Sequence, residues 1–128
     1  MFAADISPDA VAALRERAES GGFENLSAEV KAAEEAVFCQ GCADIVFFGI
    51  SLHDFAAPEP VIRNAAAMLK PSGRRIALDW KDDPMPVGPP PKKRFSQKKA
   101  RGMLEAAGFR IQSVQDAGPY HYLIIAGR

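Results

Sequence analysis

The feature that most constrains this sequence is the apolar run ADIVFFGI at residues 43–50. It is rich in β-branched and aromatic residues and lacks the polar alternation of a strand with one solvated face. Such a continuous run is typical of a strand that is buried on both faces. We therefore expect residues 43–50 to lie inside a largely parallel sheet.

Helices and strands alternate along the rest of the chain, which predicts an α/β fold. The pair Ser7 and Pro8 begins the first helix, because serine caps helix N-termini and proline suits the first helical turn. Only the short segment QDAG at residues 115–118 connects the last two strands, so we expect that pair to be antiparallel. Strands are predicted at residues 1–4, 25–32, 43–50, 74–80, 109–114 and 118–127, and helices at residues 8–20, 56–73 and 97–107.

Residues 81–95 carry five of the ten prolines and a glycine, so they predict a long loop. Long loops in compact domains often act as lids over a site. A chain of 128 residues is expected to form a single domain.

The overall charge and apolar pattern exclude several classes of protein. The formal net charge of +0 argues against nucleic-acid binding by bulk charge. No apolar run approaches the roughly 20 residues that span a bilayer. The only cysteines, Cys39 and Cys42, form one C-x-x-C pair, which supplies half of a zinc site at most. We expect a cytoplasmic protein with two reduced loop thiols and no metal site.

Five phrases of the sequence, in order and spacing, resemble the class I S-adenosylmethionine-dependent methyltransferases. The nearest likeness is to the small-molecule type that includes the ubiquinone and menaquinone biosynthesis enzymes. That resemblance implies a Rossmann-like sheet, methyl transfer to a small molecule, and S-adenosylmethionine as cofactor. The phrases are FAADISPDAV, CADIVFFGISLHDF, AAAMLKPSGRRIALDW, LEAAGFRI and PYHYLIIAGR.

On the cofactor side, the resemblance implies that Asp5 holds the ribose, with Ile6 beside it. A carboxylate at a strand's carboxyl end can accept from both ribose hydroxyls. The alternative is that Asp5 only helps to start the following helix. Ala33 and Glu34 would line the adenine, and Gly49 would lie at the end of a neighbouring strand.

On the substrate side, the resemblance implies His53, Trp80, Arg94 and Tyr120. The first three have a plainer alternative: a surface histidine, a core tryptophan, or an arginine in a solvated basic segment. His121 is expected to have a packing or pocket role.

The sequence departs from the family in two ways. The family's first strand and glycine-rich turn have no equivalent in residues 1–128, and Ala32 stands where the family often has an acid. The first departure leaves the sheet without a central strand and exposes two strand edges. A dimer, a local rearrangement, or additional chain upstream of Met1 could each fill that gap.

Three functions therefore stay open. The first is a methyltransferase for a small molecule, impaired when residues 1–128 act alone. The second is a non-catalytic structural or regulatory relative that completes its sheet as a homodimer or with another edge-strand partner. The third is an anion- or RNA-binding module that uses the basic residues between Lys92 and Arg101.

Overall fold

The computed structural model describes all 128 residues, and its elements follow the predicted order. None of its helices is long and apolar enough to cross a membrane. The elements are β1 (Phe2–Asp5), α1 (Pro8–Ser20), β2 (Ser27–Val30), β3 (Ala43–Gly49), α2 (Pro58–Met68), β4 (Leu69–Trp80), α3 (Gln97–Ala106), β5 (Arg110–Ala117) and β6 (His121–Gly127).

Two of the three helices begin at serine caps. The Ser7 hydroxyl accepts a hydrogen bond from the amide of Ala10, and the Ser96 hydroxyl accepts one from Lys99. These bonds satisfy donors that the first turn of a helix leaves free. The predicted starts of α1 and α3 are therefore confirmed.

The strands form two separate sheets. Strands β1 and β2 pair in parallel, and the other four pair in the order β3-β4-β6-β5. Strand β3 is parallel to β4, whereas β6 is antiparallel to both β4 and β5. This confirms an α/β sheet with an antiparallel C-terminal strand. No strand pairs with the second edge of β1 or of β3.

The boundary between α2 and β4 differs from the prediction. The sequence predicts a helix that continues to residue 73, but α2 ends at Met68, and Pro71 and Gly73 belong to β4. Ala43 pairs with Leu69 while Ile45 pairs with Arg74, so residues 70–73 bulge opposite one residue of β3. The proline and glycine of this segment therefore form a bulge within β4 rather than a turn between the helix and the strand.

The main core lies between the larger sheet and the two helices α2 and α3. Ile62 of α2, Leu104 of α3 and Ile124 of β6 are all almost fully buried in it. The opposite face is open, and the side chains of Ile45 and Phe47 are each 58% exposed. The prediction that residues 43–50 are buried on both faces is wrong for this structure, because no layer covers the second face.

The two cysteines also differ from expectation. Cys39 and Cys42 form a disulfide, so the prediction of reduced thiols is wrong. Gly41 lies between them with a φ of +58°, a left-handed conformation that glycine adopts without strain. The turn brings the two Cα atoms to 6.0 Å, which is within the range for a disulfide.

Candidate functional site

The candidate site lies at the carboxyl ends of β3 and β4. Gly49 ends β3, Trp80 ends β4, and the antiparallel β6 begins beside Trp80 at His121. In open α/β sheets, ligands bind outside the carboxyl ends of parallel strands. This edge therefore has the position expected of a binding site.

A buried histidine–aspartate pair is the most ordered feature of this edge. Nδ1 of His53 lies 2.6 Å from Oδ1 of the fully buried Asp79. Asp79 also accepts hydrogen bonds from the amide of His53 at 3.2 Å and from that of Trp80 at 2.8 Å. A carboxylate that accepts from Nδ1–H leaves Nε2 as the acceptor of the neutral ring. On the Nε2 side, the exposed carboxylate of Asp54 lies 3.4 Å away.

Asp79 was not predicted from the sequence. The sequence does contain a hint of it, since Asp79 is an acid near the end of the predicted strand RRIALDW, as Asp5 is at the end of β1. Strand alternation alone gives no reason to expect a charged side chain on the core face. Asp79 can be buried because it accepts three hydrogen bonds, from Nδ1 and the backbone amide of His53 and from the backbone amide of Trp80.

Tyr122 lies opposite Asp79 in the neighbouring strand. Its side chain is fully buried, and its hydroxyl has no hydrogen-bond partner. Burial, followed by the negative charges of Asp79 and Asp82, raises the pKa of Tyr122 above its usual value. The phenol therefore remains protonated, and its unpaired O–H lies in the core.

Trp80 is covered by the proline-rich loop. Its ring packs against that of His121 at a tilt of 42°, with centroids 4.1 Å apart, and Gly88 of the loop lies against it. Gly88 has a φ of +90°, and a Cβ at this position would come within 2.8 Å of the indole. A glycine is therefore needed at this point of closest approach.

Arg94 holds the same loop in shape. Its Nε donates to the carbonyl of Pro89 at 2.7 Å, Nη1 donates to that of Asp83 at 2.9 Å, and Nη2 donates to that of Val87 at 3.1 Å. All three guanidinium nitrogens thus bind the loop backbone. Contact between Arg94 and a substrate stays a prediction.

Tyr120 lies in the turn that precedes β6. Its carbonyl accepts a hydrogen bond from the amide of Lys81 at 2.9 Å, which ties the turn to the end of β4. The structure thus brings His53, Trp80 and Tyr120 to one edge, with Arg94 in the loop above it.

The predicted cofactor residues Asp5 and Ile6 lie on the smaller sheet. Oδ1 of Asp5 accepts a hydrogen bond from the amide of Ser7 at 2.8 Å, which supports the helix-start alternative. Oδ2 has no hydrogen-bond partner and remains able to accept one from a ligand. The side chain of Ile6, which follows Asp5, is 74% exposed.

Ala33 and Glu34 form a short 3-10 turn anchored to α2. The side-chain amide of Asn64 donates to the carbonyl of Glu34 at 2.8 Å, and Oε1 of Glu34 accepts from the backbone amide of Ala57 at 3.4 Å. These bonds tie the segment that follows the smaller sheet to a helix of the larger one.

Gly49 is followed by a strained residue. Ile50 has a φ of +57°, although a β-branched side chain strongly disfavours that region. Its amide donates to the carbonyl of Leu78 at 2.7 Å, which holds the conformation. Backbone strain of this kind is concentrated at ligand-binding sites.

A family model described as a methyltransferase domain matches residues 1–117. This chain belongs to that family. Among solved structures it is similar to a SAM-dependent methyltransferase from Aquifex aeolicus, with 23% identity and a TM-score of 0.91 over 98% of this chain and 66% of that one. The expected resemblance to S-adenosylmethionine-dependent methyltransferases is confirmed.

Two further structures define the range of this likeness. A putative type 11 methyltransferase from Sulfolobus solfataricus is 27% identical, with a TM-score of 0.80 over 99% of this chain and 69% of that one. The [4+2]-cyclase SpnF is 15% identical, with a TM-score of 0.85 over 99% of this chain and 65% of that one. The chain thus spans about two thirds of these structures. No curated protein matches it.

Proposed function

We propose that this methyltransferase domain transfers a methyl group from S-adenosylmethionine to a small molecule, at the edge formed by β3 and β4. The observation that carries the proposal is the buried pair of His53 and Asp79, placed at the strand ends beside a strained turn and the proline-rich loop. The fold alone does not fix the reaction, since a [4+2]-cyclase shares it.

The cofactor would supply a methyl group bonded to a positively charged sulfur, and a nucleophile can attack the carbon of that methyl group. Oδ2 of Asp5 would accept from a ribose hydroxyl, and the exposed side chain of Ile6 would pack beside the adenine. Ala33 and Glu34 would line the other side of the base, with Gly49 allowing close approach at the strand end. The free carboxylate oxygen and the exposed isoleucine fit these tasks.

On the acceptor side, His53 would take the proton that the nucleophile loses. Nδ1–H of the ring is held by Asp79, so the proton would go to Nε2, and the buried carboxylate would stabilise the resulting imidazolium. Trp80 and the loop over it would exclude water from the reacting atoms.

We propose further that residues 1–128 alone bind the cofactor weakly. The free edges of β1 and β3 leave the region between Asp5 and Gly49 without a strand. Backbone donors from such a strand and its turn would supply contacts that side chains cannot replace in the same geometry.

A non-catalytic role is the second candidate, and the same split sheet favours it. RNA binding has less support, because three of the six basic residues between Lys92 and Arg101 have partners within the chain. Arg94 binds the loop, Lys99 lies 3.7 Å over the ring of Phe95, and Arg101 pairs with Glu105 at 2.9 Å.

Calorimetric titration with millimolar S-adenosylmethionine separates the first two candidates. We expect weak saturable binding with a dissociation constant of about 1 mM. Asp5→Asn should abolish it, because the amide keeps the oxygen that starts the helix but removes the charge. Asp9→Asn, an exposed acid four residues away, is the control and should bind as the natural chain does. A folded chain that gives no heat would exclude the enzymatic function for residues 1–128.

A further inference from the structure

The disulfide between Cys39 and Cys42 lies in the one stretch of chain that joins the two sheets. Residues 1–30 form the smaller sheet and α1, and residues 43–127 form the larger sheet with α2 and α3. The disulfide closes a four-residue ring directly before β3 begins at Ala43. A change in this ring therefore acts where the position of one sheet relative to the other is set.

The residue before the ring contacts both parts of the molecule. The side chain of Phe38 stacks on that of Phe2 in β1, with ring centroids 5.2 Å apart and an angle of 10° between the planes. The amide of Phe38 donates to the sulfur of Met68, the last residue of α2, at 3.4 Å. Since Cys39 follows Phe38 directly, the ring constrains this double contact.

The ring itself is attached to the end of α2. The amide of Gly41 donates to the carbonyl of Ala67 at 2.9 Å. That carbonyl is one of the last four of the helix, which have no partner within it. Gly41 makes the bond from a φ of +58°, in the turn that the disulfide closes. The bond between Gly41 and Ala67 therefore depends on the closed ring.

The size of the ring favours a reversible disulfide. A disulfide stabilises a fold mainly by restricting the unfolded chain, and this effect grows with the length of the loop that it closes. A ring of four residues gains less from it than the long loops of structural disulfides do. After reduction the chain still holds the two thiols close together, so the bond can form again within the molecule.

The position of the cysteines indicates a switch rather than a thiol–disulfide oxidoreductase. A helix N-terminus makes a thiol a reactive nucleophile by stabilising its thiolate. Cys42 instead directly precedes β3, and the next α-helix begins only at Pro58. The pair is therefore placed to respond to a reductant and not to catalyse exchange in other proteins.

We propose that the Cys39–Cys42 disulfide is a redox switch for cofactor binding. The thiolate of a thiol reductant attacks one sulfur, which breaks the bond between the cysteines and leaves a mixed disulfide. A second reductant thiolate displaces the protein sulfur from that mixed disulfide. The protein gains two electrons and two protons, and the reductant becomes a disulfide.

Reduction releases the constraint on Phe38 and Gly41 and so loosens the smaller sheet from the larger one. Asp5 ends β1 and Gly49 ends β3, so the two sides of the cofactor site no longer keep a fixed geometry. This consequence rests on the proposed function, which places the cofactor between these residues. Because coupling between two sites is reciprocal, S-adenosylmethionine in turn makes the disulfide harder to reduce.

The first measurement needs no cofactor. The natural chain is equilibrated with mixtures of reduced and oxidised glutathione, and its free thiols are alkylated and counted by mass spectrometry. We expect two thiols to appear together and reversibly, whereas structural disulfides resist reduction by glutathione. A disulfide that persists in the folded chain at excess reduced glutathione would overturn the proposal.

NMR of the same samples shows whether the ring controls the contacts beside it. On reduction, the amide of Gly41 should exchange with solvent at least about tenfold faster, because its bond to Ala67 opens more often. The ring signals of Phe2 should shift as Phe38 moves, while the emission of Trp80 in the larger sheet stays unchanged. Signals of Phe2 and Gly41 that do not respond to reduction would also overturn the proposal.

The second measurement titrates both redox states with S-adenosylmethionine. We expect reduction to raise the dissociation constant at least about fivefold. Saturating cofactor should lower the reduction potential of the disulfide by about 20 mV, which is the same factor converted for two electrons. Equal binding by the two redox states would overturn the switch.

Two variants control for the reductant itself. The double substitution Cys39→Ser and Cys42→Ser should bind the cofactor as the reduced chain does, with or without glutathione. Gln40→Ala is the matched control, because Gln40 is an exposed residue of the same ring and the disulfide is retained. It should bind as the natural oxidised chain does. If neither redox state of the folded chain binds the cofactor, the proposed function fails and so does the effect on binding, while glutathione equilibration and NMR still decide whether the disulfide controls the attachment of the sheets.

Discussion

Nδ1 of His53 lies 2.6 Å from the buried carboxylate of Asp79, at the point where two parallel strands end. The same carboxylate accepts hydrogen bonds from the backbone amides of His53 and Trp80, so it also holds the turn that carries His53. One acid thus fixes the ring's orientation and the local backbone together. Its removal should therefore affect both stability and chemistry.

We expect Asp79→Asn to lower the free energy of unfolding by about 2–3 kcal/mol, because hydrogen bonds to a buried charge are lost or weakened. Urea denaturation followed by the fluorescence of Trp80, the only tryptophan, measures this directly. Asp54→Asn is the control, since that carboxylate is 61% exposed, and it should change stability by less than about 0.5 kcal/mol. Equal effects of the two substitutions would show that the buried pair has no special role.

Arg75 is an unpaired charge in the core. It is fully buried, none of its guanidinium nitrogens has a hydrogen-bond partner, and its charge lies 4.2 Å from the ring centroid of Phe48. We expect Arg75→Met to stabilise the fold by about 1–4 kcal/mol near neutral pH, because it removes the desolvation cost and keeps the volume filled. A decrease in the urea midpoint would contradict this and would indicate a buried anionic partner.

The gain from Arg75→Met should also depend on pH. Burial lowers the pKa of Arg75 from 12.5 to about 9. Between these two values the unfolded chain retains the proton that the folded chain releases, so the stability of the natural chain rises with pH relative to the variant. From about pH 8 to about pH 10.5, the advantage of Arg75→Met should shrink by about 2 kcal/mol. Denaturation curves of both proteins at the two pH values give the difference, and a constant difference would exclude this origin.

Gly88→Ala should lift the proline-rich loop from Trp80. It places a methyl group against the indole and strains a φ of +90°, so the tryptophan emission should shift to longer wavelength. Unchanged emission in this variant would mean that the loop does not rest on Trp80.

Gly102→Ala should instead stabilise the fold. It adds the same methyl group in α3, where nothing lies within 4 Å, and should raise the free energy of unfolding by about 0.5–1 kcal/mol.

The order of elements could be predicted from the sequence because local chemistry determines it. Serine caps, a proline-rich loop and continuous apolar runs each identify one element, and the structure confirms them. Asp79 and Arg75 could not be predicted, since strand alternation places charged side chains outward and both point into the core. The exposure of Ile45 and Phe47 depends on what covers that face of β3, and no pattern within the apolar run specifies the covering element.

We propose that one cofactor site joins the two sheets, from Asp5 and Ile6 to Gly49, and backbone NMR during titration with S-adenosylmethionine tests this proposal most directly. We expect the amide signals of Ile6 and Ser7 on one sheet, and of Gly49 and Ile50 on the other, to shift together with a single dissociation constant. Signals that shift on one sheet only, or that do not shift at millimolar cofactor while the chain is folded, would contradict it.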